Sequence, residues 1–330
     1  MLQQRIKNLL NLKTYLLSNS EEWLHVQELT ERNNAWFTQA FIQAAIQAIC
    51  VEYLDEEKLV AFSSFFKPVE HTDATKKVGL VMAGNIPLVG FHDLLCTYLS
   101  GHEVHIKLSS KDDVLMKHVV LKLRELDGNE NSFQFHQMLK GCDAYIATGS
   151  NQSARIFEQY FEKFPHIIRR SKTSVGVLDG TETREELELL ADDVYLYFGL
   201  GCRNITKIYV PENYDFVPLL QAFRKYDDLK HHNKYRNNYD YQLALYILNN
   251  QKYMSNESIL LIENKSVFSA VAVLHIEYYT NPQELQASLI SNQDLQAIVG
   301  HTYVPFGAAQ TPAIYDFADG INTVEFLNSL

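Results

Sequence analysis

The sequence predicts an α/β protein in which a helical N-terminal segment precedes a doubly wound parallel sheet and a second α/β domain. Two patterns indicate this. Hydrophobic residues recur with a helical period over about the first 70 residues, and from Lys77 onward β-rich runs alternate with amphipathic helical runs. Of the 330 residues, 46% are hydrophobic and 21% are charged, which is enough apolar material to fill a sizeable core, and the length suits two domains or one large α/β unit.

The N-terminal segment is predicted to form helices. Leucine and isoleucine residues between positions 2 and 17 share one face of the first helix. Ser18 and Glu21 have the spacing of a capping box at the start of the second, which extends through Glu31. The helical period continues over 42–53 in the third. We expect this segment to pack on a larger domain.

The first α/β stretch is predicted to contain, in order, strand Val78–Ala83, helix Leu88–Leu99, strand Glu103–Leu108, helix Lys111–Leu126, strand Ala144–Thr148 and helix Gln152–Phe164. Right-handed strand–helix–strand crossovers give a doubly wound sheet of the kind that binds dinucleotides. The stretch lacks the G-x-G-x-x-G fingerprint, so a nucleotide site there needs other residues.

A second α/β stretch follows a cluster of basic residues at 169–172. Its predicted elements are strand Val175–Leu178, helix Thr181–Tyr197, strand Ile205–Val210, helices Phe216–Lys225 and Tyr239–Asn250, and strands Ile259–Ile262 and Ala270–Ile276. The tail from His301 is expected to form ordered loops and a short closing element. These elements predict domains at 1–174 and 175–330, with the tail able to return to the first domain.

Charge and cysteine usage exclude several functional classes. Lys and Arg number 29 against 40 Asp and Glu, and the net charge of −11 argues against binding nucleic acid or anionic membranes. The histidines and the four cysteines show no metal-ligand spacing, so no metal site is predicted. We expect free thiols and a cytoplasmic protein without a membrane span.

Three strand-to-helix turns are predicted at one edge of the first sheet. Asn85, in the turn 84–87, could donate its amide to an oxyanion or could only break the chain. Lys107 with Ser109, Ser110 and Lys111 suits a phosphate or a ribose, or forms an ordinary helix cap. Gly149 and Ser150 could hold a pyrophosphate or merely cap a helix. Three such turns in series favour a nucleotide.

Cys202 lies between a predicted helix and strand and follows two glycines in the run 198–204. Such a turn exposes a thiol and lets a ligand approach closely, which suits a nucleophile. The alternative is that Cys202 is a small packed residue. Cys50, Cys96 and Cys142 lie in apolar contexts, and we expect them in the core.

Four segments occur in order along the chain: Gly84-Asn85-Ile86-Pro87, then Gly101 with Val104-His105-Ile106-Lys107-Leu108-Ser109-Ser110, then Ala147-Thr148-Gly149-Ser150, then Gly199-Leu200-Gly201-Cys202. In order and spacing they resemble the N-F-P, G-N-x-V-x-x-K-P-S-E, F-T-G-S and G-Q-x-C motifs of the aldehyde dehydrogenase superfamily. Within it, the chain is most similar to the LuxC-type acyl-CoA reductases over about Val78 to Tyr279. The resemblance implies an aldehyde dehydrogenase-like fold with a dinucleotide-binding and a catalytic domain.

The resemblance also implies roles for single residues. Cys202 would accept the acyl group, and Asn85 would stabilise the oxyanion together with the backbone amide of Cys202. Lys107 would contact ribose hydroxyls of a nicotinamide cofactor. Gly149 and Ser150 would bind its pyrophosphate. Phe268 matches the aromatic residue that packs near the nicotinamide ribose.

Departures from the superfamily pattern refine this hypothesis. Ile168 stands where aldehyde-oxidising members carry the Glu that activates water, so a thioester intermediate would survive for reduction. Ser110, beside Lys111, replaces the Glu that binds an NAD ribose, which favours NADPH. Ser266 and Leu200 also depart from the family residues.

The resulting prediction is NADPH-dependent reduction of a long-chain acyl-CoA to the aldehyde through an acyl-enzyme at Cys202, in fatty acid metabolism. Two alternatives stay open. One is a reductase of an acyl phosphate, for which Arg169, Arg170 and Lys172 could receive the phosphate if they are not simply solvated. The other is a non-catalytic relative. Relatives commonly form dimers or tetramers, so the resemblance also implies a homo-oligomer.

Overall fold

The computed structural model describes residues 2–67 and 75–330, which form two compact units. Unit 1 comprises Met1–Ser171 and Thr311–Leu330, and unit 2 comprises Lys172–Gln310. The C-terminal residues therefore belong to the same unit as the N-terminal half of the chain.

Four helices form the N-terminal segment of unit 1: α1 (Leu2–Leu16), α2 (Glu21–Asn33), α3 (Gln39–Glu52) and α4 (Glu56–Ser63). The apolar face of α1 is buried against the rest of unit 1, as its period predicted. The predicted cap of α2 is wrong. Ser20 occupies the N-cap position, and its backbone N–H donates to Ser18 Oγ, so Glu21 begins the helix.

The sheet of unit 1 follows: β1 (Lys77–Val81), α5 (Phe91–Ser100), β2 (Glu103–Lys107), α6 (Leu115–Asp127), β3 (Phe133–Phe135), β4 (Ala144–Thr148), α7 (Asn151–Phe161) and β5 (His166–Arg169). All neighbouring strands pair in parallel, in the order β3-β2-β1-β4-β5. This confirms the predicted doubly wound sheet. Gly101 ends α5 in a left-handed conformation, as expected of a helix C-terminus.

The sequence missed the two edge strands and misplaced two helix starts. β3 and β5 have only three and four residues, too few to show a period. Helix α5 begins at Phe91 rather than Leu88, because Leu88 has a left-handed φ of 57°. Helix α6 begins at Leu115 rather than Lys111, after an irregular turn at 109–114.

Unit 2 contains a second sheet, and its elements are β6 (Thr173–Val177), α8 (Arg184–Tyr195), β7 (Ile205–Pro211), α9 (Phe216–Ala222), α10 (Asn233–Leu248), β8 (Met254–Ser255), β9 (Leu260–Glu263), β10 (Val273–Tyr279), α11 (Pro282–Ser291) and β11 (Leu295–Val299). The strand order is β11-β6-β7-β10-β9-β8, and only the β8–β9 pair is antiparallel. Helix α12 (Thr323–Asn328) closes unit 1. Within the described ranges no helix is both long and apolar enough to cross a membrane.

Side-chain caps decide where the helices of unit 2 begin. Thr183, not Thr181, starts α8, and it forms a capping box with Glu186. Helix α10 begins well before the predicted Tyr239, because the His232 side chain accepts the backbone N–H of Tyr235.

Arg169 is the largest buried cation of unit 1. Its side chain is 2% exposed and forms an ion pair with Asp93 on α5. It also donates to the hydroxyl of Thr323, 2.8 Å away, at the start of α12. The neighbouring Arg170 instead pairs with Glu158 at the surface. The basic residues 169–172 are therefore not one solvated cluster: Arg169 ties the C-terminal helix to the sheet.

Replacing Arg169 should destabilise the fold far more than replacing Arg170. Arg169→Met leaves the Asp93 carboxylate without its buried partner, which costs about 3–5 kcal/mol. Arg170→Met removes a surface pair and costs about 0–1 kcal/mol. Urea denaturation followed by circular dichroism measures both, and equal losses of unfolding free energy would contradict this role of Arg169.

Candidate active site

Three turns leave the same edge of the sheet in unit 1. β1 lies at the centre and pairs with β2 on one side and β4 on the other, with Val81 opposite both Lys107 and Ala147. The carboxyl ends of β1, β2 and β4 therefore meet, and the strand order reverses at β1. In open α/β sheets, ligands bind at this kind of edge. The three turns predicted from sequence are thus neighbours.

The turn that carries Asn85 is locked to the turn that follows β2. A Cβ atom on Gly84 would lie 2.6 Å from Ser109 Oγ, so only glycine allows this approach. The Asp112 carboxylate accepts the backbone N–H of Leu88 at 2.8 Å and that of Met116 at 3.3 Å. These contacts fix the half-buried Asn85 at the end of β1.

Asp112, which holds the two turns together, has a carboxyl group with an unusual pKa. It is almost fully buried, and burial raises the pKa of its carboxyl group to about 7, against the two backbone N–H groups that lower it. Sequence reasoning missed this residue. The signal in the sequence was an acidic pair, Asp112 and Asp113, directly before an apolar helical pattern.

Lys107 is the last residue of β2 and is half-buried, while Ser110 and Lys111 are exposed. Ser109 Oγ accepts the backbone N–H of Lys111 at 3.3 Å. Asn34, between α2 and α3, donates its side-chain amide to the Lys111 carbonyl at 3.0 Å. The predicted helix N-terminus at these residues is wrong, because α6 begins only at Leu115. The turn therefore offers a cation and hydroxyls without a helix end.

Gly149 and Ser150 lie where β4 meets α7. Ser150 is the N-cap of α7, and its hydroxyl accepts the backbone N–H of Ser153 at 3.2 Å. A Cβ atom on Gly149 would lie 2.9 Å from Ser153 Cβ, so the turn packs tightly on the helix. The prediction that Ser150 caps a helix is confirmed. Asn151 and Gln152, the first two residues of α7, are exposed, and the N-terminus of a helix attracts anions.

Cys202 differs from the other cysteines in its environment. It is half-buried, whereas Cys50, Cys96 and Cys142 are buried, as the sequence predicted for them. Burial raises the thiol pKa of Cys50 and of Cys142 to about 11 and that of Cys96 well above its usual range. These three thiols are therefore poor nucleophiles, since the thiolate is the reactive form.

The turn that carries Cys202 is pinned by the side chain of Asn204, which is fully buried. Its Oδ1 accepts the backbone N–H of Gly201 at 2.8 Å. Its Nδ2 donates to the carbonyl groups of Leu196 at 2.8 Å and Asp193 at 3.0 Å. Sequence reasoning missed Asn204, although a polar residue directly before the apolar β7 was a visible signal.

Two further features restrain the same turn. The Ser174 hydroxyl on β6 donates to the Cys202 carbonyl at 3.1 Å. Tyr197, Phe198 and Gly199 have consecutive left-handed φ angles of 55°, 57° and 72°. Such a conformation costs roughly 1–3 kcal/mol at each non-glycine residue. The buried rings of Tyr197 and Phe198 hold it in place, so strain is concentrated just before Cys202.

Phe268 lies in the loop between β9 and β10 and is 39% exposed. Ser266, one of the residues that depart from the superfamily pattern, forms a small turn with it. Its hydroxyl accepts the backbone N–H of Phe268 at 3.2 Å and donates to the Phe268 carbonyl at 2.9 Å. Ile168 lies in β5 and is half-buried.

Asp179, Glu182 and His301 form the one group of potential metal ligands among the described residues. His301 Nδ1 lies 2.9 Å from Asp179, and its Nε2 lies 3.1 Å from Glu186. These carboxylates, that of Asp179 foremost, raise the pKa of His301. The ring nitrogens are thus engaged in ion pairs, and the group is explained as a charge network.

Comparison with known proteins agrees with this architecture. A model of the acyl-CoA reductase (LuxC) family matches residues 38–218, more than half of the chain. No curated protein matches. Among solved structures, the aldehyde dehydrogenase KauB from Pseudomonas aeruginosa is 13% identical with a TM-score of 0.65, covering 91% of this chain and 72% of that one.

Two other solved structures are similar in fold. A succinic semialdehyde dehydrogenase from Streptococcus pyogenes in complex with NADP+ is 12% identical with a TM-score of 0.65, covering 90% of this chain and 76% of that one. An indole-3-acetaldehyde dehydrogenase in complex with NAD+ is 13% identical with a TM-score of 0.66, covering 95% and 75%. The aldehyde dehydrogenase-like fold predicted from sequence is therefore confirmed.

Asp112 should make the stability of the protein depend on pH. Between about pH 4 and pH 7 the folded chain keeps the Asp112 proton, whereas the unfolded chain releases it. The folded state then binds more protons, so the free energy of unfolding falls as the pH rises through this window. Asp112→Asn should reduce that fall, and replacing the exposed neighbour by Asp113→Asn should not. Urea midpoints across the window measure it, and an unchanged slope in Asp112→Asn would refute this role.

Proposed function

The chain belongs to the acyl-CoA reductase (LuxC) family, and on this basis we propose that it reduces an acyl-CoA thioester to the aldehyde with a nicotinamide dinucleotide. Family and fold together make it an oxidoreductase of aldehyde-related chemistry. The observation that carries the finer proposal is the pinned turn at Cys202. It presents the least buried thiol of the chain within the matched residues.

In the proposed reaction the Cys202 thiolate attacks the thioester carbonyl carbon. The carbonyl oxygen becomes an oxyanion, which the Asn85 amide and the backbone N–H of Cys202 are proposed to stabilise. When the oxyanion collapses, the bond between the carbonyl carbon and the sulfur of coenzyme A breaks, and coenzyme A leaves as its thiolate, so the acyl group remains on Cys202. When bound, the nicotinamide dinucleotide would supply the hydride that converts this acyl group to the aldehyde, and the Cys202 thiolate would be released.

The residues at the edge of the unit 1 sheet fit a dinucleotide. Lys107 and the Ser109 hydroxyl offer groups for ribose, and the N-terminus of α7 after Gly149 and Ser150, exposed at 151–152, suits a pyrophosphate. A Cβ atom at Gly149 would collide with the Ser153 side chain, so this turn requires glycine.

We propose NADPH as the cofactor because Ser110 and Lys111 are exposed and the stretch 107–111 contains no carboxylate. A cation there attracts a 2′-phosphate, and an acidic residue would repel it. Asn34 holds the Lys111 carbonyl and therefore helps to place this turn.

We propose that the acyl-enzyme persists because Ile168 stands where aldehyde-oxidising enzymes carry their general base. Ile168, at the matching position, is an apolar residue in β5 and cannot activate water. We propose a long-chain acyl substrate, a cytoplasmic location and a homo-oligomeric state as further parts of this hypothesis.

Acyl-CoA is a better substrate hypothesis than an acyl phosphate. The acyl-phosphate alternative needs a phosphate site at the basic cluster 169–172. The arginines of this cluster have separate partners, since Arg169 is buried against Asp93 and Arg170 pairs with Glu158. A preformed phosphate site from these residues is therefore not supported.

Replacing Cys202 should abolish the first half of the reaction. Mixing the protein with acyl-CoA in the absence of NADPH should give a persistent adduct that intact-mass spectrometry detects. Cys202→Ala should give none and should lose aldehyde formation, because the acyl group has no acceptor, while NADPH binding is kept. Cys142→Ala serves as the control and should still form the adduct.

Retained turnover in Cys202→Ala would refute the role of Cys202 as the nucleophile. The same assay identifies the substrate when adduct formation is compared between acyl-CoAs of different chain length and an acyl phosphate.

Replacing Lys111 should weaken NADPH more than NADH. Lys111→Ala removes the cation proposed to face the 2′-phosphate and should raise the Kd for NADPH about five- to tenfold, the usual worth of one charge-assisted contact. The Kd for NADH should change little. Lys117→Ala, on α6, is the matched control. Equal effects of Lys111→Ala on both cofactors would refute the assignment.

A further inference from the structure

The loop that carries Phe268 is held by its backbone carbonyl groups. Three consecutive carbonyls, those of residues 265, 266 and 267, each accept a hydrogen bond from a side chain of the central sheet of unit 2. Thr206 Oγ1 donates to the Val267 carbonyl at 2.6 Å. Lys207 Nζ donates to the Lys265 carbonyl at 2.7 Å. His275 Nδ1 lies 2.9 Å from the Ser266 carbonyl and carries the proton of that bond.

A β-bulge explains how two adjacent residues of one strand reach the same loop. Ser174 on β6 is opposite Ile205, but the next residue, Val175, is opposite Lys207. Thr206 is therefore the extra residue of a bulge in β7, and its side chain turns to the side of Lys207 instead of alternating away. On the other flank His275 is the direct register partner of Lys207. The three donors thus form one row beneath the loop.

Two of the three donors, Lys207 and His275, are buried polar side chains, and burying such groups is unfavourable. Lys207 is fully buried, and its charge is balanced by Glu277 on β10. His275 is 6% exposed, and its burial lowers its pKa, so the ring stays neutral and keeps a single proton for the Ser266 carbonyl. Burying a charge is unfavourable unless it is paired and hydrogen-bonded, and the Lys265 carbonyl supplies one of the hydrogen bonds of Lys207.

We propose that Thr206, Lys207 and His275 are positioning residues, which hold the turn 265–268 in the conformation in which Phe268 binds the nicotinamide ribose. This inference rests on the proposed function, because it needs a nicotinamide cofactor, and it takes the contact between Phe268 and the nicotinamide ribose from the family resemblance. It goes further in assigning cofactor affinity to a buried row of donors that do not touch the cofactor.

The test uses a pair of variants that differ only in the hydroxyl group. Thr206→Val removes the donor to the Val267 carbonyl and keeps the shape, whereas Thr206→Ser restores the donor. Thr173→Val is the control, because Thr173 bonds the Thr206 hydroxyl but not the loop. His275→Phe removes the neighbouring donor and serves as the second variant should Thr206→Val fold poorly.

Three quantities are measured on the full chain. They are the Kd for NADPH by titration of protein fluorescence, the rate of acyl adduct formation from acyl-CoA without NADPH, and hydrogen exchange of the amides at 266–269. Thr206→Val and His275→Phe should raise the Kd about fivefold and speed exchange of these amides, with acylation changed less than about twofold. Thr206→Ser and Thr173→Val should behave like the wild type.

Two results would overturn the inference. One is an unchanged Kd and unchanged exchange in both Thr206→Val and His275→Phe. The other is a parallel loss of acylation and NADPH affinity, which would mark a general structural role. Failure of the proposed function is distinguishable, because it would appear in the wild type as absence of the adduct or of NADPH binding.

Discussion

The hydrogen bonds of one buried side chain, Asn204, determine the geometry on which the proposed chemistry depends. Its amide links the N–H of Gly201 to carbonyls at the end of α8, so the chain cannot leave the helix in an ordinary way. Instead it passes through three left-handed residues and places Cys202 in the turn before β7. A buried amide with both ends satisfied is costly to disturb, because any shift leaves a polar group unpaired.

The same arrangement recurs elsewhere in unit 2: a polar side chain on a strand or helix forms hydrogen bonds with backbone groups of a loop. Ser174 holds the carbonyl of Cys202, and Thr206, Lys207 and His275 hold the loop of Phe268. Asp193, whose pKa burial raises to about 7, accepts the N–H groups of Gly307 and Ala309. Loops fixed in this way carry functional groups with the precision of regular elements.

The sequence predicted the sheet of unit 1 and the residues at its carboxyl edge because these follow from local pattern. Short apolar strands, Gly101 and the turns at Asn85, Lys107 and Gly149 need only neighbouring residues to be recognised. What it could not predict depends on distant partners. The burial of Arg169 requires Asp93 and Thr323, and the late start of α6 requires the contact of Asp112 with Leu88. Asn204 and Thr206 likewise gain their roles from tertiary hydrogen bonds, which no periodicity encodes.

The central claim is that the fold presents Cys202, among four thiols, as the reactive one. Alkylation of the native chain by limiting iodoacetamide, followed by peptide mass spectrometry, compares all four sites in one sample. The account predicts that Cys202 is modified well before Cys50, Cys96 and Cys142, whose buried thiols have raised pKa values. Modification of Cys202 no faster than of those three would contradict it.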